Sequence, residues 1–120
     1  MNRTLILLAG VLAPLSGAQA GEADVLEANV NCNGHCRFSV TVEHADEGWD
    51  HYADKWEILN PDGEVIAVRE LAHPHVNEQP FTRSLGRVEI PADIRTVTIR
   101  AHDSVHGYGG RELAVDLPAR

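Results

Sequence analysis

"RFSVTVE", residues 37–43, decides the fold of this chain. Phe38, Val40 and Val42 alternate with Ser39, Thr41 and Glu43. That period of two belongs to a strand with one buried face and one wet face. The pattern continues outward in both directions. Upstream, "DVLEANV" (24–30) puts Leu26, Ala28 and Val30 on one face. Downstream, "KWEIL" (55–59) puts Trp56 and Ile58 on one side, and "NPDG" (60–63) reads as a tight turn. "EVIAVREL" (64–71) returns as the partner of that hairpin. "FTRSLGRVEI" (81–90) is a further extended run, with a bulge expected at Gly86. "TVTIRA" (96–101) turns Val97, Ile99 and Ala101 inward, and "ELAVDL" (112–117) does the same with Leu113, Val115 and Leu117. Seven short strands, regular turns and no helical period predict an all-β chain, an immunoglobulin-like β-sandwich of about seven strands. Trp56 on the third strand suits the buried tryptophan of that architecture.

Residues 1–20 stand apart from this pattern. Arg3, the apolar run "LILLAGVLAPL" and the small residues of "AQA" before Gly21 form a secretory signal peptide cut after Ala20. No second apolar run of spanning length follows, so no membrane insertion is expected after its removal. The mature domain, residues 21–120, is sized for one core. Arg3 is the only charged residue in the leader, so its loss takes the net charge from −8 to −9. An acidic surface repels phosphate backbones, which argues against nucleic acid and for small cations as partners. Periplasmic or secreted localisation also bears on "CNGHC". Cys32 and Cys36 are expected to form a disulfide across the Asn33-Gly34 turn. The alternative is a thiolate metal site that includes His35.

The chain carries seven histidines. His44 and His51 lie between strands two and three, His73 and His75 between four and five, and His102 and His106 between six and seven. If successive strands alternate in direction, these three connections share one pole of the sandwich, and His35 falls at the other. Parity adds that His44 continues the inward series 38-40-42 and Asp103 the inward series 97-99-101, whereas His102 points outward. Imidazoles are common transition-metal ligands, and carboxylates complete or orient their shells. Asp103 and His106 are therefore the leading ligand candidates, followed by His44 and His51. His73, His75 and His102 are further candidates, with Asp50, Asp54 and Glu47 available as carboxylate partners.

Two stretches resemble a known family. His44, then "HYADKWEIL" with His51, Tyr52 and Trp56, is similar to the His-Pro-Met and His-Tyr-Ile-x-Trp segments of the superoxide reductase (desulfoferrodoxin) iron domain. "DSVHG" resembles that family's Cys-Asn-x-His-Gly loop, and "ELAHPHVNEQPFT" its Leu-Lys-Pro…Pro-x-x-x-Phe connection. The match spans roughly residues 38–117. The His44–His51 and His51–Trp56 intervals are each one residue longer than the family's. The resemblance implies a non-haem iron site with His44, His51 and His106 as three of four equatorial histidines. Asp103 stands where the family has its axial cysteine, and the family's first histidine has no clear counterpart, with His73, His75 or His102 as the candidates to substitute for it from another direction. Similar sandwiches occur in the non-catalytic carrier subunits of bacterial thiosulfate oxidation.

The expected cofactor is one transition metal ion: iron, copper or zinc. The chain's one methionine, Met1, leaves with the leader, which argues against a thioether Cu(I) site. Catalysis would need an open coordination position. The rival expectation is a binding or carrier module for a periplasmic protein partner or a sulfur compound, using the same loops with Trp49, Tyr52 and Tyr108. Neither a nucleophile elbow nor a phosphate loop is present, and Asp103, Ser104 and His106 are too close on one turn for triad geometry.

Overall fold

A computed structural model describes residues 21–120, and the expected signal peptide lies outside the described residues. The strands are β1 (Asp24–Asn33), β2 (His35–Glu43), β3 (Ala53–Leu59), β4 (Val65–Glu70), β5 (Phe81–Val88), β6 (Thr96–Asp103) and β7 (Leu113–Asp116). They form a three-stranded sheet, β1-β2-β5, and a four-stranded sheet, β4-β3-β6-β7. Every hydrogen-bonded neighbour is antiparallel. The alternation read from the sequence explains the layering. Phe38, Val40, Val42 and Phe81 project from the first sheet, and Trp56, Ile58, Val97, Ile99 and Ala101 from the second; all are buried in one core. Burying each large apolar side chain is worth roughly 1.5–3 kcal/mol over exposing it.

Two details differ from the sequence reading. Val25, not Leu26, is the core residue at the start of β1. The register against β2 shifts between Val25 and Glu27, so the bulge there moves the inward series to Ala28 and Val30. On β5, the two residues between Leu85 and Val88, Gly86 and Arg87, oppose the single Arg37 between Phe38 and Cys36, as a bulge at Gly86 requires. The left-handed residue of that bulge is Arg87, at φ 58°. A Cβ at Gly86 would lie 3.0 Å from the guanidinium of the exposed Arg37, a side chain free to shift aside.

The two ends of the sandwich differ in chemistry. At one end, the β1–β2 hairpin pairs Cys32 directly with Cys36, and the two form the disulfide. The thiolate alternative with His35 is thereby removed, and His35 instead meets Glu89 at 3.2 Å. The other end gathers the β2–β3, β4–β5 and β6–β7 connections. The nine residues of β2 separate the two ends by about 30 Å at ~3.3 Å per residue.

Candidate metal centre

Two strands deliver the central residues by simple continuation. Beyond β2, the inward parity carries on through His44 to Asp46, and both are buried. At the end of β6, Asp103 follows Val97, Ile99 and Ala101 to the inside and is fully buried. The next turn is closed by paired backbone hydrogen bonds between Asp103 and Gly107, each 2.9 Å. Gly107 sits at φ 76°, the left-handed conformation that lets the chain reverse there. Inside this turn, Asp103 Oδ1 accepts the N–H groups of Val105 at 2.6 Å and His106 at 2.7 Å. Ser104 then ties the turn to the β2–β3 loop: its N–H donates to the Tyr52 carbonyl and its Oγ accepts the Tyr52 N–H.

His44, His51 and Asp103 each present one ligand atom, and the three atoms lie within 4.8 Å of one another. His51 Nε2 is 2.8 Å from Asp103 Oδ2, and His44 Nε2 lies against the same oxygen. His44 Nε2 also faces the carbonyl oxygen of Gly21 at 2.9 Å. The far sides of both rings are held by carboxylates. His44 Nδ1 meets Asp46 Oδ1 at 2.6 Å, and His51 Nδ1 meets Glu47 Oε1 at 2.6 Å. A carboxylate on Nδ1 keeps the proton there and leaves the Nε2 lone pair free, the arrangement that orients metal-bound histidines. Here both lone pairs point at oxygen acceptors, so a cation or a proton must stand between them.

The charge balance makes the same demand. The Asp46 and Asp103 side chains are both fully buried. Among the described residues neither has a lysine or arginine partner; their contacts are histidines and backbone N–H groups. Burial alone would raise the Asp103 pKa. The His106 and Val105 N–H groups, the His51 hydrogen bond and the His44 charge outweigh it and hold the carboxyl at about 2. The Glu47 hydrogen bond raises the His51 pKa; desolvation opposes this, and Asp103 adds to it. The pole is therefore a buried anionic cup lined with imidazoles, poised to accept positive charge.

The other candidates take distinct positions. His106 is at the rim, with Nδ1 3.4 Å from Asp103 Oδ1 and its ring centroid 5.0 Å from that of His51. His75 is buried, its N–H donates to Asp46 Oδ2 at 2.7 Å, and its ring stacks on Phe81. His73 is exposed beside it. His102 is a correction to the expected six-histidine convergence. Its outward parity places it on the outer face of the second sheet, where Nδ1 meets Asp54 at 2.6 Å and the ring packs against Tyr108. Asp50 is exposed. Asp46 is the residue that the sequence reading missed. It binds the His44 ring, the Ala53 N–H and the His75 N–H, and so locks two loops to the start of β3. Extending the inward series one step past His44 finds it.

No helix among the described residues is long and apolar enough to cross a membrane. No family model matches the chain, and no solved structure matches it. Over 105 residues the chain is 41% identical to a protein of Halomicrobium mukohataei described as "Putative lipoprotein". The alignment covers 82% of this chain and 51% of that protein, so the chain spans about half the length of its relative.

Proposed function

We propose that this chain is an exported metal-binding protein that holds one transition metal ion between His44 Nε2, His51 Nε2 and Asp103. One observation carries the reading: the Nδ1 atoms of both histidines are occupied by carboxylates, and their Nε2 atoms converge on a buried Asp103 oxygen. Two histidines and one carboxylate form the ligand set of non-haem Fe(II) sites with open positions, and the same donors suit Zn(II) and Cu(II). His106 at the rim and the Gly21 carbonyl are the nearest further donors. Both cysteines are tied in the disulfide at the far end, so the donors here are nitrogen and oxygen. The resemblance to superoxide reductases supports iron. With a carboxylate in place of the family's thiolate, the ion has a harder donor and different electronics. A redox role is the finer part of the proposal. The leader sequence supports export, as does a relative described as a lipoprotein.

The test is calorimetric titration of anaerobic Fe(II), Cu(II) and Zn(II) into the metal-stripped mature protein. Wild type should bind one of these tighter than about 10 μM, equivalent to about 7 kcal/mol. His51→Ala should weaken binding by at least about 100-fold because one nitrogen donor to the ion is lost, and His102→Ala should leave it unchanged. Wild type that binds none of the three at that level sinks the metal reading.

A second reading has its own support. Trp49 is 67%, Val105 58% and Val76 53% exposed, and all three lie on the loops around this pole. An apolar rim of this kind fits a periplasmic protein partner that docks over the site. If metal binding fails, that role takes precedence.

A further inference from the structure

The His73-Pro74-His75 segment holds a buried imidazole that the centre above does not use. His75 has a side chain only 3% exposed, and neither Nδ1 nor Nε2 has a hydrogen-bond partner. A buried imidazole in this state leaves both a proton and a lone pair unsatisfied, which native structures rarely tolerate without a ligand. The ring is fixed in place: it stacks on Phe81 at 4.1 Å with a 13° interplanar angle. Its Nδ1 lies 4.0 Å from Asp46 Oδ2. On the solvent side sits His73, whose ring centroid is 4.8 Å from that of His75. His73 Nδ1 faces the Pro74 carbonyl at 3.0 Å, so Nδ1 carries the proton and Nε2 keeps its lone pair. Proline between the two histidines restricts the backbone and lowers the ordering cost of a chelate.

We propose that His73 and His75 form a second site for a borderline divalent cation, next to the centre at Asp103, with the Asp46 carboxylate between the two. The donors are two imidazole nitrogens, with the Asp46 carboxylate beside His75 as the local negative charge; imidazole donors suit Zn(II) or Cu(II) and discriminate against Mg(II) and Ca(II). Asp46 also holds His44, so one buried carboxylate faces both sites. The inference stands on the unpartnered His75 ring and is independent of whether the first centre binds metal.

Zn(II) titration at neutral pH into metal-stripped wild type, His73→Ala, His51→Ala and the double variant tests it. His73 is exposed, so its replacement leaves the core packing intact. A binding step that persists in His51→Ala, and whose affinity falls at least about tenfold in His73→Ala, is the expected result. The His75 ring nitrogen resonances should shift with that step. Should His51→Ala bind no Zn(II), or should His73→Ala leave the step and the His75 shifts unchanged, the second site is refuted. If wild type and His51→Ala show only the step that His73→Ala removes, the second site stands and the reading of the Asp103 centre fails.

Discussion

Replacing Asp103 with Asn probes the charge at the heart of the site while keeping its shape. In the metal-free protein the Oδ1 acceptor for Val105 and His106 survives as an amide oxygen. What disappears is the anionic Oδ2 that faces His44 and His51. The Asp103 pKa falls from 3.8 to about 2 on folding, and that shift corresponds to on the order of 2 kcal/mol of stability for the ionised form. The folded pKa is the lower one. The contribution is therefore fully present above the unfolded value of 3.8 and is lost as pH falls through about 2. Urea unfolding with a chelator present, at pH 5 and at pH 2, measures it. At pH 5 the variant should be on the order of 2 kcal/mol less stable than wild type, and at pH 2 the gap should nearly close. A difference under about 0.5 kcal/mol at pH 5, or one that does not change with pH, refutes the claim that the buried carboxylate is held as an anion. The same variant loaded with metal should bind at least about 100-fold more weakly, a cost of about 2.8 kcal/mol.

Metal-free wild type should be most stable near pH 6.5. His51, with its pKa raised, contributes below the unfolded value of 6.5 and loses that contribution as pH rises; His75, with its pKa lowered by burial, contributes above 6.5 and loses it as pH falls. Metal loading should remove the alkaline decline, because bound ions require deprotonated ligands; thermal melts with and without metal across pH 5–9 check both limbs. Gly110→Ala places a Cβ 1.9 Å from the Ala23 carbonyl oxygen, and should destabilise by roughly 1–3 kcal/mol in denaturant unfolding as β1 is pushed off the loop before β7. Replacing both cysteines with serine opens the five-residue loop from Cys32 to Cys36 and should cost about 2 kcal/mol, with no change in metal affinity by calorimetry because the bridge is at the far end.

Much of this molecule is legible in short stretches of sequence. The β2 alternation at Phe38, Val40 and Val42 is a local property of the chain, and its continuation alone puts His44 on the inside, where it is buried. The same parity separated Asp103, which is inward and buried, from His102, which is outward and paired with Asp54. The expectation that His102 would join the cluster came from counting loops at a pole, and a pole has an outer face as well as a core. Val25 rather than Leu26 faces the core because a bulge changes the parity of the residues around it, and a single strand does not reveal where its partner forces one.

The strand count, the layering and the pole at which the histidines gather are all local properties of the chain, because side-chain alternation follows directly from backbone geometry. Which of those residues form a site depends instead on how the loops and strands pack. Asp46 became a hub because loops from both sheets bring His44, Ala53 and His75 to one carboxylate. Glu47 became the orienting partner of His51 because Gly48, at φ 114°, turns the loop back on itself. His75 is buried with neither ring nitrogen partnered and with its ring face stacked on Phe81. The Glu47–His51 and His75–Phe81 contacts are made within single loops, whereas the Asp46 hub joins segments 29 residues apart that meet only after the two sheets have closed over their common core.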